Sequence, residues 1–238
     1  MTRTARTFDD ARRWALIGAE LTFDAVAGLD DAGYAAPSAL PGWSRAHVAA
    51  HVAANAEALS HLVHWAATGE PTPMYASPEE RAAGIERGRA LPADRLTAWL
   101  RRSADALEAG MDRLTEEQWL QEVVTAQGRT VPATELPWMR SREVCVHAVD
   151  LANGVSFDGL PADFLAALCD DVTAKRAAAP GPAVTLRTPA GAAWDLPGDG
   201  DPVPVTGALP DLAAYLTGRD NGLRAEDGTP APALGAWL

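Results

Sequence analysis

Apolar residues recur at helical spacing through the first two thirds of the chain, and then the pattern changes. From about Phe8 to Leu29 the apolar content is Trp14, Leu16, Ile17, Leu21, Phe23 and Val26, the recurrence of an amphipathic helix. A second helix is predicted after Pro41-Gly42-Trp43, with Ser44 as N-cap and its end near Gly69, because a serine oxygen satisfies an otherwise free N–H of the first turn. Ser77-Pro78-Glu79-Glu80 opens a third, with a capping serine, proline at the first helical position and a glutamate to close a capping box. The fourth runs from about Pro92 to Leu114, with Leu96, Trp99, Leu100, Leu107, Met111 and Leu114 near 3.6-residue spacing. The last runs from about Leu136, with Pro137 in its first turn, to the stop pair Asn153-Gly154. Four long helices with shorter pieces predict an antiparallel four-helix bundle.

After Gly154 the chain becomes rich in turns, as in Ala179-Pro180-Gly181-Pro182 and Pro197-Gly198-Asp199-Gly200. Short β-like runs follow at Val184–Thr188, Ala193–Leu196 and Val203–Thr206, flanked by helices at about Ala162–Ala178 and Leu209–Leu216. This predicts a small α+β unit and a two-domain organisation, residues 1–153 and 154–238. No internal repeat is present.

The 238 residues suffice for a full core, and a net charge of −12 argues against nucleic-acid binding. The same charge repels small anions at long range, so an anionic substrate would need local arginines. No apolar run reaches bilayer length, and Met1-Thr2-Arg3-Thr4 begins no signal-peptide pattern. Two cysteines, Cys145 and Cys169, are too few for a disulfide scaffold, which makes a reducing cytoplasm the expected setting. Oligomeric state is not legible, and a monomer is the working expectation.

The candidate chemistry lies in Arg142-Glu143-Val144-Cys145-Val146-His147. Glu143 and His147, four apart, share one helix face. His51 falls on the apolar stripe of the second helix with Val48, Val52, Leu59 and Leu62. Together the three make a ligand set for a divalent metal with one position left open, the pattern of a catalytic zinc site. A buried Glu–His hydrogen bond without metal accounts for the spacing equally well. His47 competes with His51, being itself four residues away, whereas His61 and His64 read as packing or surface histidines. Asp150 and Asn55 are candidates to orient the imidazoles. Cys145 is turned roughly 200° from Glu143 and from His147, which disfavours it as ligand or nucleophile. Arg129, Arg140, Arg142 and Arg219 stand near the site or at a helix end. Most arginines are solvated surface charge, but one reaching the bundle mouth would grip a carboxylate bidentately. No nucleophile elbow, phosphate loop or dinucleotide fingerprint occurs.

Several stretches resemble the mycothiol-dependent maleylpyruvate isomerases, and the resemblance runs over essentially the whole chain. They are Gly42-Trp43-Ser44-Arg45 leading to His51, His64-Trp65-Ala66-Ala67-Thr68-Gly69-Glu70 with Pro73-Met74-Tyr75, Thr125 through Pro132, and Trp138 through Leu151. The resemblance implies an N-terminal DinB-like four-helix bundle with a small C-terminal α+β domain. It implies zinc on His51, Glu143 and His147, mycothiol as thiol cosubstrate, and a catalytic arginine at Arg219, contributed by the second domain. The implied reaction is cis–trans isomerisation of maleylpyruvate, a small dicarboxylate, to fumarylpyruvate in gentisate breakdown.

A carbon–carbon double bond does not rotate thermally, so a nucleophile must add, let the resulting single bond turn, and leave. A thiol of pKa near 8.5 is only about 3% thiolate at pH 7, and metal coordination raises that fraction roughly 30-fold. Lower basicity returns roughly 5-fold of the gain, leaving the rest to orientation and to stabilising the enolate. The rivals are a mycothiol S-transferase on the same scaffold, a non-catalytic metal-binding bundle, and a zinc hydrolase for which no motif asks.

Overall fold

The structure is a computed structural model and describes residues 6–219, 222–235 and 237. The chain divides into two compact units, the larger spanning Thr7–Ser156 and the smaller built, among the described residues, from Arg6 and those from Phe157 onward.

The larger unit runs α1 (Phe8–Val26), α2 (Asp31–Ala35), α3 (Arg45–Thr68), α4 (Pro78–Arg89), α5 (Ala93–Asp112) and α6 (Glu116–Trp119), then a hairpin of β1 (Glu122–Val124) and β2 (Thr130–Pro132), and α7 (Leu136–Asp150). The four long helices α1, α3, α5 and α7 form the bundle. α1 lies along α7, while α3 packs on α5, α4 and α7. Most of the predicted apolar positions supply its core: Trp14, Leu59, Leu62, Leu96 and Leu100 are fully buried, joined by Trp138 on α7, whereas Leu16 on α1 is 47% exposed. Each such aliphatic chain contributes about 1.5–3 kcal/mol on transfer from water. Trp14 and Trp138 meet edge to face with ring centroids 5.8 Å apart, joining α1 to α7 through an arrangement aromatic rings prefer.

A single glycine sets how closely α1 approaches α7. A Cβ on Gly18 would lie 2.5 Å from Val144 Cγ2 and 2.8 Å from the Cys145 backbone nitrogen, so no other residue fits there without movement. Thr22, one turn on, donates its hydroxyl to the Val144 carbonyl at 3.2 Å. The Cys145 side of α7 is thereby buried against α1, with its Sγ 3.5 Å from the Trp14 carbonyl oxygen. The roughly 200° between Cys145 and the Glu143–His147 pair then turns that pair to the other side of the helix.

The helix starts follow the capping chemistry. α3 begins after Ser44, whose backbone N–H donates to His47 Nδ1 at 3.0 Å, and ends at Gly69 in the left-handed conformation, φ 78°. Ser77 accepts the Glu80 N–H. The reciprocal half of the expected capping box is replaced, because the Glu80 carboxylate pairs with Arg87 at 2.5 Å. α1 stops at Val26, three residues short of the predicted Leu29, where Gly28 takes φ 72°. Asp30 then caps α2 through the Gly33 N–H at 2.8 Å. That short helix, and the three-residue strands of the β1–β2 hairpin, are too brief for a period to register in the sequence.

The smaller unit comprises α8 (Ala162–Arg176), β3 (Pro182–Arg187), β4 (Ala193–Leu196), β5 (Asp199–Thr206) and α9 (Leu209–Leu216). β3 is central, antiparallel to β4 and parallel to β5. α8 packs on β4 and on α9. Phe164, Leu168, Leu186, Val205 and Leu212 fill its core, and buried Trp194 keeps its indole N–H satisfied on Asp170 at 2.7 Å. The larger unit is thus a helical bundle and the smaller one a compact α+β fold.

Candidate metal centre

α3 crosses α7 where His51 faces Glu143 and His147, one helix turn apart on α7. His51 Nε2 lies 2.9 Å from Glu143 Oε2 and 3.1 Å from His147 Nε2, and that nitrogen lies 3.5 Å from the same carboxylate oxygen. The two imidazoles stand perpendicular, centroids 4.7 Å apart. His51 is buried, while Glu143 and His147 are partly accessible. Trp43, from the Gly-Trp-Ser-Arg stretch, sets its ring edge-on to His51 at 5.9 Å.

Asp150, fully buried, is hydrogen-bonded to His147 Nδ1 at 2.8 Å. The carboxylate holds the Nδ1 proton and aims Nε2 at His51 and Glu143, so that with a metal bound Nε2 would present its lone pair there, the usual support for a ligating histidine. Burial opposes a charge on His147, but the bonds to Asp150 and Glu143 outweigh it and lift its pKa to about 9. Burial likewise opposes ionising Glu143, and its hydrogen bonds to His147 and His51 overcome it, holding the carboxyl well below the usual range. His51 goes the other way, because burial dominates and pulls it down.

Arg140 departs from the surface role expected of most arginines. It is 4% exposed and donates from Nη1 to the Val52 carbonyl and to Asn55 Oδ1, both at 2.9 Å. Burial lowers its pKa to about 10, against the pull of Glu143, so the guanidinium stays charged at neutral pH and balances the buried carboxylate. Asn55 therefore holds Arg140 and orients no imidazole, contrary to the sequence expectation. The sequence offered Arg140 as one of several arginines near the site, and its position one turn before Glu143 on the inward face was the signal for its burial.

His47 is engaged elsewhere, accepting the Ser44 N–H through Nδ1 with Nε2 3.6 Å from Glu86, so the histidine that the fold brings to Glu143 and His147 is His51. His61 faces the Pro73 and Met74 carbonyls, and His64 is exposed near Glu70. Arg142 lies over the Trp138 ring at 5.7 Å, and Arg129 is exposed in the β1–β2 turn. Arg219 lies in the smaller unit just after α9, its Nη1 on the Thr217 carbonyl at 2.5 Å. Arg81, unremarked in the sequence, brings Nη2 to 3.4 Å from His51 Nδ1.

The three donor atoms fit a divalent ion. Ligands about 2.0–2.1 Å from a tetrahedral zinc lie roughly 3.3 Å from one another, and the observed edges of 2.9, 3.1 and 3.5 Å bracket that value. Two imidazole nitrogens and a carboxylate oxygen converge, yet one N–H at most can lie between any two of them. A cation satisfies all three lone pairs at once, and three protein donors leave a position for an exogenous ligand.

Fold and site together define a helical-bundle protein with a two-histidine, one-glutamate candidate metal centre and an appended α+β unit. Residues 14–152 match the model of the mycothiol maleylpyruvate isomerase N-terminal domain. A crystal structure of the mycothiol-dependent maleylpyruvate isomerase is similar at 36% identity and TM-score 0.92, over 97% of this chain and 99% of that one. A histidine-to-alanine mutant of that isomerase is similar to the same extent: 36% identity, TM-score 0.92 and the same shares of the two chains. No curated protein matches significantly. The chain belongs to the mycothiol-dependent maleylpyruvate isomerase family and is an isomerase.

Proposed function

We propose that the protein catalyses mycothiol-dependent isomerisation of maleylpyruvate to fumarylpyruvate, a step of gentisate breakdown in the cytoplasm. The observation that carries this reading is the convergence of His51, Glu143 and His147 within hydrogen-bonding distance, in a chain similar over 97% of its length to an isomerase of that name.

His51, Glu143 and His147 would hold the divalent ion, zinc by preference for this nitrogen–oxygen set. When bound, the ion supplies Lewis acidity, lowering the pKa of a thiol or drawing charge from a neighbouring carbonyl. Asp150 keeps His147 in the ligating tautomer, and Arg140 sustains Glu143 as a carboxylate inside the bundle. The nucleophile must come from outside the chain: Cys145 is buried with its thiol pKa pushed far up by desolvation, and Cys169 is buried as well. The thiolate sulfur forms a bond to one alkene carbon while the π pair moves onto the conjugated carbonyl as an enolate. The former double bond turns as a single bond. The enolate then collapses, the C–S bond breaks, and thiolate and trans alkene are released with no net redox change. Arg219 supplies a fork that grips a substrate carboxylate and offsets the enolate charge.

The test is turnover of maleylpyruvate by zinc-loaded protein, with and without mycothiol, following fumarylpyruvate and total thiol. Fumarylpyruvate forming only with mycothiol, at constant thiol, is the expected result. Stoichiometric thiol consumption would make the protein a transferase.

A further inference from the structure

Alongside the metal centre the larger unit contains a cavity of about 630 Å³ between α3, α4, α5 and the 73–76 loop. Small residues keep it open. Ala54 and Ala58 on α3 form its floor, and Gly84 on α4 lines a wall. A Cβ at Gly84 would find only the Arg87 guanidinium, at 3.8 Å. At Gly88, by contrast, a Cβ would come 2.5 Å from Trp99 and 2.8 Å from Ala50, so α4 closes tightly on α3 and α5 at one end and diverges from them elsewhere.

Two residues belong to both the cavity and the metal centre. Arg81 lines the cavity and sits 3.4 Å from His51 Nδ1. Tyr75 also lines it, carries Arg81 near its ring at 5.8 Å, and is close enough to Glu143 to feel its charge. The interior offers an apolar face and hydrogen-bonding groups together. Trp99 presents its ring with its N–H tied to Glu57 at 2.6 Å. Arg95 and Arg102, one turn before and one turn after Trp99 on the same face of α5, make no hydrogen bond or ion pair among the described residues. Their guanidinium donors stand free for a ligand.

We propose that this cavity binds the body of the thiol cosubstrate, a polar molecule rich in hydrogen-bond acceptors, and directs its sulfur past Tyr75 and Arg81 to the metal centre. The proposal rests on the function assigned above and deepens it. Size decides between the two reactants. A volume near 630 Å³ lies within the roughly 300–1,000 Å³ that encloses drug-sized ligands, and a small dicarboxylate would leave most of it to water. Arg95 and Arg102 are binding groups for the thiol body, and Arg81 and Tyr75 position its reactive end.

Calorimetric titration of zinc-loaded protein with mycothiol tests this, using Gly84→Leu to fill the cavity and Arg95→Ala/Arg102→Ala to remove the donors. Leucine enters open space and improves a helix interior, so the fold is retained, and the arginine pair is exposed. The expected result is at least tenfold weaker mycothiol binding in Gly84→Leu and several-fold weaker binding in the double variant. Zinc stoichiometry and the KM for maleylpyruvate at saturating mycothiol stay at wild-type values. Wild-type mycothiol affinity in both variants overturns the cavity assignment and leaves the isomerase standing. Zinc-loaded wild type that binds no mycothiol overturns both.

Discussion

Asp150→Asn probes how the candidate metal centre is held together. The substitution keeps size and shape at a position with no solvent exposure, and the amide oxygen can still accept the Nδ1–H of His147. What it removes is the negative charge 2.8 Å from that nitrogen. A hydrogen bond to an ionised acceptor is about twice as strong as a neutral one, and the loss falls on the basicity of Nε2, the atom that would bind the metal. Losing such a partner costs 10- to 100-fold in metal affinity, or about 1.4–2.7 kcal/mol. Competition with a chromophoric chelator measures the zinc Kd, and thermal unfolding of the metal-free protein controls for structure. We expect zinc binding 10- to 100-fold weaker with a Tm within a few degrees of wild type. Zinc affinity within twofold of wild type would refute the reasoning, and so would an affinity loss matched by an equal loss of metal-free stability.

Other substitutions separate site from scaffold. Gly18→Ala forces a methyl into the α1–α7 contact and should cost about 1–3 kcal/mol of stability, read by urea unfolding, despite alanine's better helix propensity. His47→Ala should remove the reciprocal half of the α3 capping box and leave Ser44 as N-cap, lowering stability by at most about 1 kcal/mol in urea unfolding, and leave zinc affinity unchanged. Arg219→Lys should lose most of the isomerase rate while retaining zinc, since an ammonium cannot reproduce the bidentate fork; full activity would remove Arg219 from the mechanism.

The bundle was legible because its helices are long enough for a period to register and carry their own punctuation. Ser44 and Gly69 bound α3, and Leu136-Pro137 opens α7 as expected. The triad was legible as a set of candidates, since i, i+4 spacing on α7 is local, but the pairing of α3 with α7 is a tertiary fact that spacing alone leaves open between His47 and His51. What escaped was of two kinds. Short elements such as α2 and the β1–β2 hairpin carry too few residues for a pattern. Long polar side chains are the second: Arg81 looks like any other surface arginine, and Arg140, though named as a candidate, gives no sign of its burial until the helices against it are known. Gly18 was equally silent, because a glycine required by helix–helix approach has no local signature.

Metal dependence can be measured on a single sample. The protein is stripped with a chelator, its zinc content determined, and its mycothiol-dependent isomerase rate followed as zinc is returned stoichiometrically. The rate should vanish in the stripped protein and return in proportion to occupancy, saturating at one zinc per chain, with His51→Ala failing to recover it. Full activity in protein that holds no divalent metal would contradict the role assigned to His51, Glu143 and His147.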